Sequence, residues 1–365
     1  MKLASILFVC SIFLASSVHA QNRKVVCYWM PGTDTTRVNP NICTHVIFSF
    51  LGITADGSLT YLWRSAAQVA SLLQGLVAMK SQNPNLKALV AIGGYNEDLV
   101  TPWYTLAASA SARQNFARNL REFIARNYLD GVDIDWEYPN YDGNRPEDKQ
   151  NFIYLLEAIK NEISSHYLLT AAIGAGAWRT GLSYDIPNIF RFCDFVNLMT
   201  YDMHGGWEPR TGIHGAMYRG PNDQTDANVQ FSVQFLIGFG IDKTKLILGI
   251  PAYGIGFTLT NAASNDVGAP ANSGGYYEHY QQMCLWENAG WNQSFEEAQM
   301  VPYIFQGNQW YGYDNLRSVE HKANFINAQG LGGAMFWELT AEDWNNSCGG
   351  GFWPLISAVY RIVHG

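Results

Sequence analysis

The sequence predicts an α/β protein: a (β/α)8 TIM barrel with a small α+β insertion between strand 7 and helix 7. Three observations indicate this fold. Short, almost continuously apolar runs recur along the 365 residues, amphipathic stretches separate several of them, and the last two runs lie too far apart for one helix to join them. A doubly wound open sheet is the alternative, but that fold usually has fewer strands and a Gly-rich phosphate loop after the first strand, which this sequence lacks.

Eight segments have the composition of buried parallel strands, with β-branched and aromatic residues in near-continuous runs. In a barrel, all of them would point their C-terminal ends toward the same rim. In chain order they are VVCYW (25–29), HVIFSFL (45–51), ALVAIGG (88–94), GVDIDWE (131–137), LLTAAIG (168–174), FVNLMTY (195–201), LILGIPAY (246–253) and GGAMFWE (332–338).

Apolar residues at three- and four-residue spacing predict helices in the connections. The clearest are AAQVASLLQGLVAMKS (66–81), ARQNFARNLREFIARN (112–127) and DKQNFIYLLEAIKNEIS (148–164). The long connection after strand 7 mixes β-branched and aromatic runs with turns, which predicts the insertion at about residues 254–315, and a further helix is expected near residues 318–329. Residues 21–365 are expected to form a single barrel domain that includes this insertion.

The first twenty residues have the pattern of a secretory signal peptide. Lys2 supplies a charged start, residues 3–14 form an apolar run too short to span a bilayer, and Val18-His19-Ala20 ends in a cleavage site of small residues. No later segment holds eighteen uninterrupted apolar residues. The sequence therefore predicts a secreted, extracellular protein without a membrane-spanning segment.

Composition limits the classes of partner. A hydrophobic content of 48% with 15% charged residues indicates a large buried core, and a net charge of −8 argues against nucleic acid or an anionic membrane as partner. The high aromatic content has two interpretations: core packing, which composition alone favours, and a stacking surface for a flat ligand such as a sugar ring.

Five cysteines follow residue 20, so one is expected to stay unpaired in an oxidising compartment. Cys193 is the candidate because it lies in the apolar stretch FRFCDFVNLM, where a thiol can act as a small hydrophobic group. The sequons that begin at Asn292 and Asn345 predict two N-glycosylation sites.

Residues 130–139, DGVDIDWEYP, place three carboxylates at two-residue spacing: Asp133, Asp135 and Glu137. Side chains two apart in a strand share a face, so the acids form one row and the apolar residues between them the other. In a barrel the acidic row would line the interior, with Glu137 at the C-terminal rim where active sites lie. Three carboxylates this close cannot all ionise cheaply, so at least one proton should be retained at neutral pH. The row therefore predicts general acid chemistry.

Two other interpretations of the acidic row are weaker. An exposed edge strand does not fit the large apolar neighbours, and a Mg²⁺ or Ca²⁺ site lacks supporting motifs. No HExxH motif, EF-hand loop or Cys/His cluster accompanies the row, and the eight histidines are scattered, so no metal or other cofactor is expected. Asp133 itself also has a purely structural interpretation, as a buried acid that keeps Asp135 in place.

The segment DGVDIDWEYP is similar to the DxxDxDxE signature of glycoside hydrolase family 18, which contains chitinases and chitinase-like lectins. The resemblance extends over essentially the whole chain after residue 20 and is strongest to the secreted animal chitinases. Further segments resemble that family's strand ends in the same order: CTHVIFSF (43–50), AIGGYN (91–96), FVNLMTYDMHG (195–205), LILGIPAYG (246–254), VPYIF (301–305) and GGAMFWEL (332–339).

The resemblance implies a chitinase that cuts β-1,4-linked N-acetylglucosamine polymers, as an endo-acting or processive enzyme, by a retaining, substrate-assisted mechanism. Glu137 would protonate the glycosidic oxygen, and the substrate's own acetamide would attack the anomeric carbon. Asp135 would stabilise the resulting oxazolinium ion, with Asp133 sharing its proton. Tyr201 would donate a hydrogen bond to the acetamide, and Trp337 would form the apolar floor under the −1 sugar.

Further residues are implied by the same resemblance. Met199 and Asp202 would shape the pocket, and the family's disulfides would correspond to Cys27–Cys43 and Cys284–Cys348. Additional sugar contacts are implied for Tyr28, Phe50, Trp63, Gly93, Gly94, Tyr95, Asn96, Tyr138, Trp207 and Tyr253.

Several positions depart from the family pattern. Tyr95 stands where many members carry Trp, Ile255 where many animal members carry Arg, Glu338 where a small residue is common, and the loop after the first strand is short. These departures are expected to alter the minus-side subsites and the local charge.

The chain is expected to act as a monomer on chitin or chitooligosaccharides. A binding lectin without turnover is the alternative, and so is an enzyme for a glycoprotein core. Lectins of this kind usually lose the terminal acid, whereas Glu137 is present here.

Overall fold

The computed structural model describes residues 23–30, 38–221, 223 and 225–365. The predicted signal peptide and residues 31–37 of the loop after the first strand therefore lie outside the described residues. The strands are β1 (Lys24–Trp29), β2 (His45–Ile53), β3 (Leu59–Thr60), β4 (Lys87–Gly93), β5 (Gly131–Asp135), β6 (Leu168–Gly174), β7 (Phe195–Met199), β8 (Leu246–Pro251), β9 (Tyr253–Leu259), β10 (Ala271–His279), β11 (Asn292–Glu296), β12 (Val301–Gln306), β13 (Gln309–Gly312) and β14 (Gly333–Trp337).

Eight of these strands form a closed parallel barrel, which confirms the predicted fold. Their order is β1-β14-β8-β7-β6-β5-β4-β2, and β2 pairs with β1 to close the ring. Strand β1 pairs in parallel with both of its neighbours: Val26 lies opposite Met335 of β14 and opposite His45 of β2. Strand β3 adds a short antiparallel edge to β2. The C-terminal ends of all eight strands therefore surround one rim.

Helices cover the outside of the barrel. The predicted helices at residues 66–81, 112–127, 148–164 and 318–329 each have a counterpart, while the shorter ones were not predicted. In the described residues the helices are α1 (Ala66–Ala78), α2 (Val100–Ala108), α3 (Ala110–Arg126), α4 (Glu147–Ile163), α5 (Ala177–Ser183), α6 (Ile186–Phe192), α7 (Val229–Ile237), α8 (Tyr280–Asn288), α9 (Leu316–Gln329) and α10 (Pro354–His364).

The hydrophobic core has two layers because strand side chains alternate between the two faces of the barrel wall. Val132, Ile134 and Trp136 point outward and pack against the helices, where the Trp136 ring stacks on Trp103 at a centroid distance of 5.5 Å. The inner layer fills the barrel axis with residues such as Ile47. The acids that alternate with the outward-facing residues of β5 therefore point toward the interior.

A second sheet lies between β8 and α9, as the fold prediction requires. It is antiparallel, has the order β10-β9-β13-β12-β11 and includes α8 in its connection. The disulfide Cys284–Cys348 ties α8 to the loop after β14, and Cys27–Cys43 joins β1 to the start of β2. Cys193 is free and buried. The expected disulfides and the unpaired thiol are therefore confirmed.

No helix among the described residues is both long and apolar enough to cross a membrane.

Candidate active site

The acidic row of β5 rises through the barrel toward the rim. Asp133 and Asp135 are both buried, and Glu137 follows two residues after the last strand residue, where it is partly exposed. This depth order follows directly from the strand rise and places Glu137 nearest to a bound ligand.

Asp133 is held by hydrogen bonds from three other barrel strands. The Tyr28 hydroxyl of β1 donates to Oδ2 at 2.7 Å, and the Thr170 hydroxyl of β6 donates to Oδ1 at 2.5 Å. The Asn197 amide of β7 donates to Oδ1 at 3.3 Å and to the Tyr28 hydroxyl at 3.0 Å. These donors lower the pKa of Asp133, but burial outweighs them and raises it to about 6.

Asp135 and Glu137 form the upper, ligand-facing part of the row. Burial raises the pKa of Asp135 well above its usual range, and the charges of Glu137 and Asp133 raise it further. Asp135 Oδ1 is buried and has no hydrogen-bond partner among the described residues. Burial likewise raises the pKa of Glu137 to about 7, with the charge of Asp202 adding to the effect. The site therefore holds a protonated carboxyl near neutral pH.

Tyr201 lies beside the acids with its hydroxyl available to a ligand. The residue is buried, and its hydroxyl donates to the thioether of Met335, a weak acceptor, at 3.8 Å. The neighbouring Asp202 has a φ of 53° and a largely exposed carboxylate. The Tyr253 hydroxyl donates to Asp202 Oδ1 at 2.6 Å, which fixes the carboxylate at the rim.

Trp337 ends β14 and forms the apolar floor of the site. Its ring stacks on Phe50 at 5.5 Å with an interplanar angle of 26°, and it meets Tyr28 at 5.5 Å with an angle of 56°. These contacts leave one part of the indole uncovered at the cleft. An aromatic face supported from below is suited to stacking on a sugar ring.

Two adjoining cavities form a cleft over the rim, and Tyr95, Glu137, Met199, Tyr201 and Asp202 line both of them. The smaller has a volume of about 220 Å³ and contains the Trp337 floor. The larger, of about 1060 Å³, extends from Glu137 in another direction. The cleft is therefore long enough for several linked sugars, with the acid between its two parts.

Most of the residues predicted to contact sugar are brought together in this cleft. The smaller cavity is lined by Phe50, Trp63, Gly93, Gly94, Tyr95, Asn96, Asp135, Glu137, Met199, Tyr201, Asp202 and Trp337. Tyr138 and Trp207 line the larger one. Three predicted residues lie behind the surface: Asp133 and Tyr28 bond to each other beneath it, and Tyr253 supports Asp202.

The structure adds cleft residues that the sequence did not predict. Met30 lines the smaller cavity, and Tyr141, Trp178, Arg179 and Asp226 line the larger one. Trp178 is 70% exposed, which is unusual for tryptophan but is visible only in the structure, so no signal in the sequence pointed to it.

Glu338 does not line the cleft, which corrects the expectation that it adds charge there. The residue is 3% exposed, and its carboxylate accepts hydrogen bonds from the Met30 N–H at 3.2 Å and the Thr340 N–H at 3.0 Å. Glu338 is the first residue after β14, and these two backbone donors hold its carboxylate away from the cleft. Glu338 thus joins the loop after β1 to the loop after β14. Ile255 is also buried and lines neither cavity, whereas Tyr95 is 66% exposed at the junction of the two.

Comparisons with known proteins agree with this geometry. Residues 24–342 match the family model of glycosyl hydrolases family 18. Chitotriosidase-1 of Mus musculus is 36% identical over 93% of this chain and 78% of its own length. The Ostrinia furnacalis group IV chitinase in complex with allosamidin superposes with a TM-score of 0.88 at 30% identity, covering 93% of this chain and 98% of that one.

A protein described as a pseudo-chitinase has the same fold. Human YKL-39, with retained chitooligosaccharide-binding properties, superposes with a TM-score of 0.85 at 30% identity over 94% of this chain and all of that one. Fold similarity therefore does not distinguish turnover from binding. Because the family match spans most of the sequence, the chain belongs to glycosyl hydrolases family 18.

Proposed function

We propose that this protein is a secreted chitinase that hydrolyses β-1,4-linked N-acetylglucosamine in chitin and chitooligosaccharides. The observation that carries the proposal is the position of Glu137, whose pKa is raised to about 7, between an aromatic floor and a long open cleft. A carboxyl that keeps its proton near neutral pH can act as a general acid on a bond held above it.

In the proposed first step, Glu137 donates its proton to the glycosidic oxygen. The bond from the anomeric carbon to that oxygen breaks, and the leaving sugar departs with a new hydroxyl. The acetamide carbonyl oxygen of the −1 sugar, which rests on Trp337, forms a bond to the anomeric carbon and gives an oxazolinium ion. A nucleophile supplied by the substrate differs from the usual retaining pair, in which the second carboxylate attacks.

Asp135 and Tyr201 stabilise the positively charged intermediate. The unpartnered Asp135 Oδ1 accepts the acetamide N–H, and the Tyr201 hydroxyl donates to the acetamide oxygen. As the cation develops, the proton that burial and neighbouring charges keep on Asp135 passes to Asp133, whose pKa is also raised, and the ionised Asp135 stabilises the positive charge. The proton returns to Asp135 when the oxazolinium ion is consumed. Asp133 acts from beneath as a buried acid whose charge influences Asp135.

In the second step, the Glu137 carboxylate removes a proton from water, which attacks the anomeric carbon. The bond to the acetamide oxygen breaks, the acetamide is restored, and Glu137 regains its proton. Two displacements at one carbon return the original β configuration. Neither step requires a metal or cofactor.

We also propose that residues 1–20 direct export and are removed, and that the barrel domain that follows acts as a monomer. The leader-like pattern and the two disulfides, which persist in oxidising compartments, support this location. Asn292 and Asn345 would carry glycans there. Chitin is an extracellular polymer, so export brings enzyme and substrate together.

A binding lectin is the second candidate, because YKL-39 is described as retaining chitooligosaccharide binding on the same fold. The complete set of Asp135, Glu137 and Tyr201 at the cleft favours the enzyme. A cleft that only bound sugar would not need a carboxyl that keeps its proton at neutral pH.

Turnover of chitohexaose by the wild type and by Glu137→Gln tests the proposal. We expect the variant to lose about 10²- to 10⁴-fold in kcat, the contribution of a positioned general acid, while calorimetry shows similar binding. Glu122→Gln, at an exposed position on α3, is the control and should match the wild type. Binding without cleavage by the wild type would instead establish the lectin.

A further inference from the structure

An arginine enclosed by aromatic rings forms one wall of the larger cavity. Arg179 lies on α5, directly after β6, and its guanidinium carbon is 4.6 Å from the ring centre of Tyr138, 5.0 Å from that of Tyr141 and 4.6 Å from that of Trp178. All four residues line the cavity. Contacts of this kind between guanidinium and aromatic faces are attractive.

Hydrogen bonds and close packing fix this arginine in place. Arg179 Nη1 donates to the Tyr141 carbonyl at 3.1 Å and to the Ser183 hydroxyl at 3.5 Å. Its side-chain stem crosses Gly174 so closely that a β-carbon there would lie 2.8 Å from Arg179 Cγ. The guanidinium is therefore a positioned charge and not a freely moving surface group.

Among the described residues, no carboxylate oxygen lies within 4.0 Å of a guanidinium nitrogen of Arg179. Three acidic side chains share the cavity: Glu137, Asp202 and Asp226. Asp226 is paired with Arg219, and the other two lie at the catalytic end of the cleft. Arginine stays protonated at all physiological pH values, so this wall carries a permanent positive charge.

Arg179 lies on the leaving-group side of the scissile bond. In the proposed function the −1 sugar rests on Trp337 in the smaller cavity, and Glu137 stands between that cavity and the larger one. Tyr138 follows Glu137 in the chain, and its ring contacts the Arg179 guanidinium. Sugars beyond the cleavage point therefore pass over this aromatic and cationic wall.

We propose that Arg179 determines specificity by rejecting cationic glucosamine, and accepting neutral N-acetylglucosamine, in the first leaving-group subsites. The inference rests on the proposed function. The exposed Trp178 ring and the Tyr141 ring stack on either sugar, because both sugars have the same apolar faces. The two sugars differ at the 2-position: a free amino group is smaller and carries a proton at mildly acidic pH, whereas the larger acetamide is neutral.

The expected preference follows from the Coulomb interaction between two unit charges. At about 4 Å in a water-like environment their repulsion corresponds to a factor of about five in relative rate, and a partly dehydrated cleft increases it. We therefore expect at least an approximately fivefold bias against glucosamine at the subsite that contacts Arg179. Salt should weaken this bias because the cleft is open to solvent.

Cleavage of partially deacetylated chitosan tests the inference. The new non-reducing ends record which sugar occupied the first leaving-group subsite, and mass spectrometry of the products identifies that sugar and the next one. We expect acetylated sugars to be enriched at one of these positions with the wild type and with Arg179→Lys, which keeps the charge. In Arg179→Gln the enrichment should fall about fivefold, to near the composition of the polymer.

A matched control and a fully acetylated substrate complete the test. Arg191→Gln removes another arginine stacked on a ring, that of Phe192, away from both cavities, and should keep the wild-type preference. Equal preferences in the wild type and in a folded Arg179→Gln variant would overturn the inference. If chitohexaose is not cleaved by any variant, the proposed function has failed instead, so the two failures are distinguishable.

Discussion

Replacing Asp133 by asparagine tests the electrostatics of the acidic row. The folded protein raises the pKa of this carboxyl from 3.8 to about 6, so the folded state binds its proton more tightly than the unfolded chain does. The stabilising contribution is fully present below pH 3.8 and is lost as the pH rises through about 6. That pKa difference corresponds to about 3 kcal/mol of unfolding free energy.

The variant has no carboxyl at this position, so that pH dependence should disappear. Its absolute stability will also change, because the introduced amide has one acceptor oxygen where the carboxylate has two, so it cannot accept both from Tyr28 on one side and from Thr170 and Asn197 on the other. That second effect is independent of pH, so the informative quantity is the change with pH. Between about pH 4 and pH 8, the unfolding free energy of Asp133→Asn relative to wild type should rise by about 2 to 3 kcal/mol.

Urea unfolding at a series of pH values measures this difference directly. Glu320→Gln, at an exposed position on α9, serves as the control and should follow the wild-type curve. Parallel pH dependence of wild type and Asp133→Asn would refute the reasoning, because it would mean that Asp133 has the same pKa in the folded and unfolded chain.

Two further predictions concern activity and binding. The value of kcat/KM should fall as the pH rises through about 7, since Glu137 must carry its proton to act as an acid; a profile that stays flat to pH 9 would exclude this assignment. Trp337→Ala, combined with Glu137→Gln, should weaken chitotetraose binding about 30-fold by calorimetry, the usual effect of losing an aromatic anchor. Phe352→Ala, at a ring that is 60% exposed outside the cleft, should leave binding unchanged, and an equal loss in both variants would contradict a specific role for Trp337.

The barrel and its acidic row could be predicted because both depend on local periodicity. Alternation of acids with Val132, Ile134 and Trp136 determines which side chains share a face, and the closed barrel then determines which face is internal. Three long helices were predictable from their apolar spacing and a fourth was expected after the insertion, whereas α5 and α6, of seven residues each, are too short for that signal.

The parts that could not be predicted depend on contacts between distant segments. Asp133 receives its hydrogen bonds from β1, β6 and β7, and no local pattern links Tyr28 or Asn197 to it. Arg179 and Trp178 reach the cleft because the chain turns after β6 into the short helix α5. A turn of this kind has no repeating pattern of apolar residues from which its course could be predicted. Glu338 was expected in the cleft because it follows Trp337, but hydrogen bonds from the Met30 and Thr340 N–H groups hold its carboxylate elsewhere.

Proton NMR of the first products from chitotetraose tests the central claim most directly, because it detects both turnover and stereochemistry. We expect the β-anomer of the new reducing end to appear first and to convert slowly to the equilibrium mixture, as two displacements at the anomeric carbon require. Initial appearance of the α-anomer, or binding of the sugar without any product, would contradict substrate-assisted hydrolysis by Glu137.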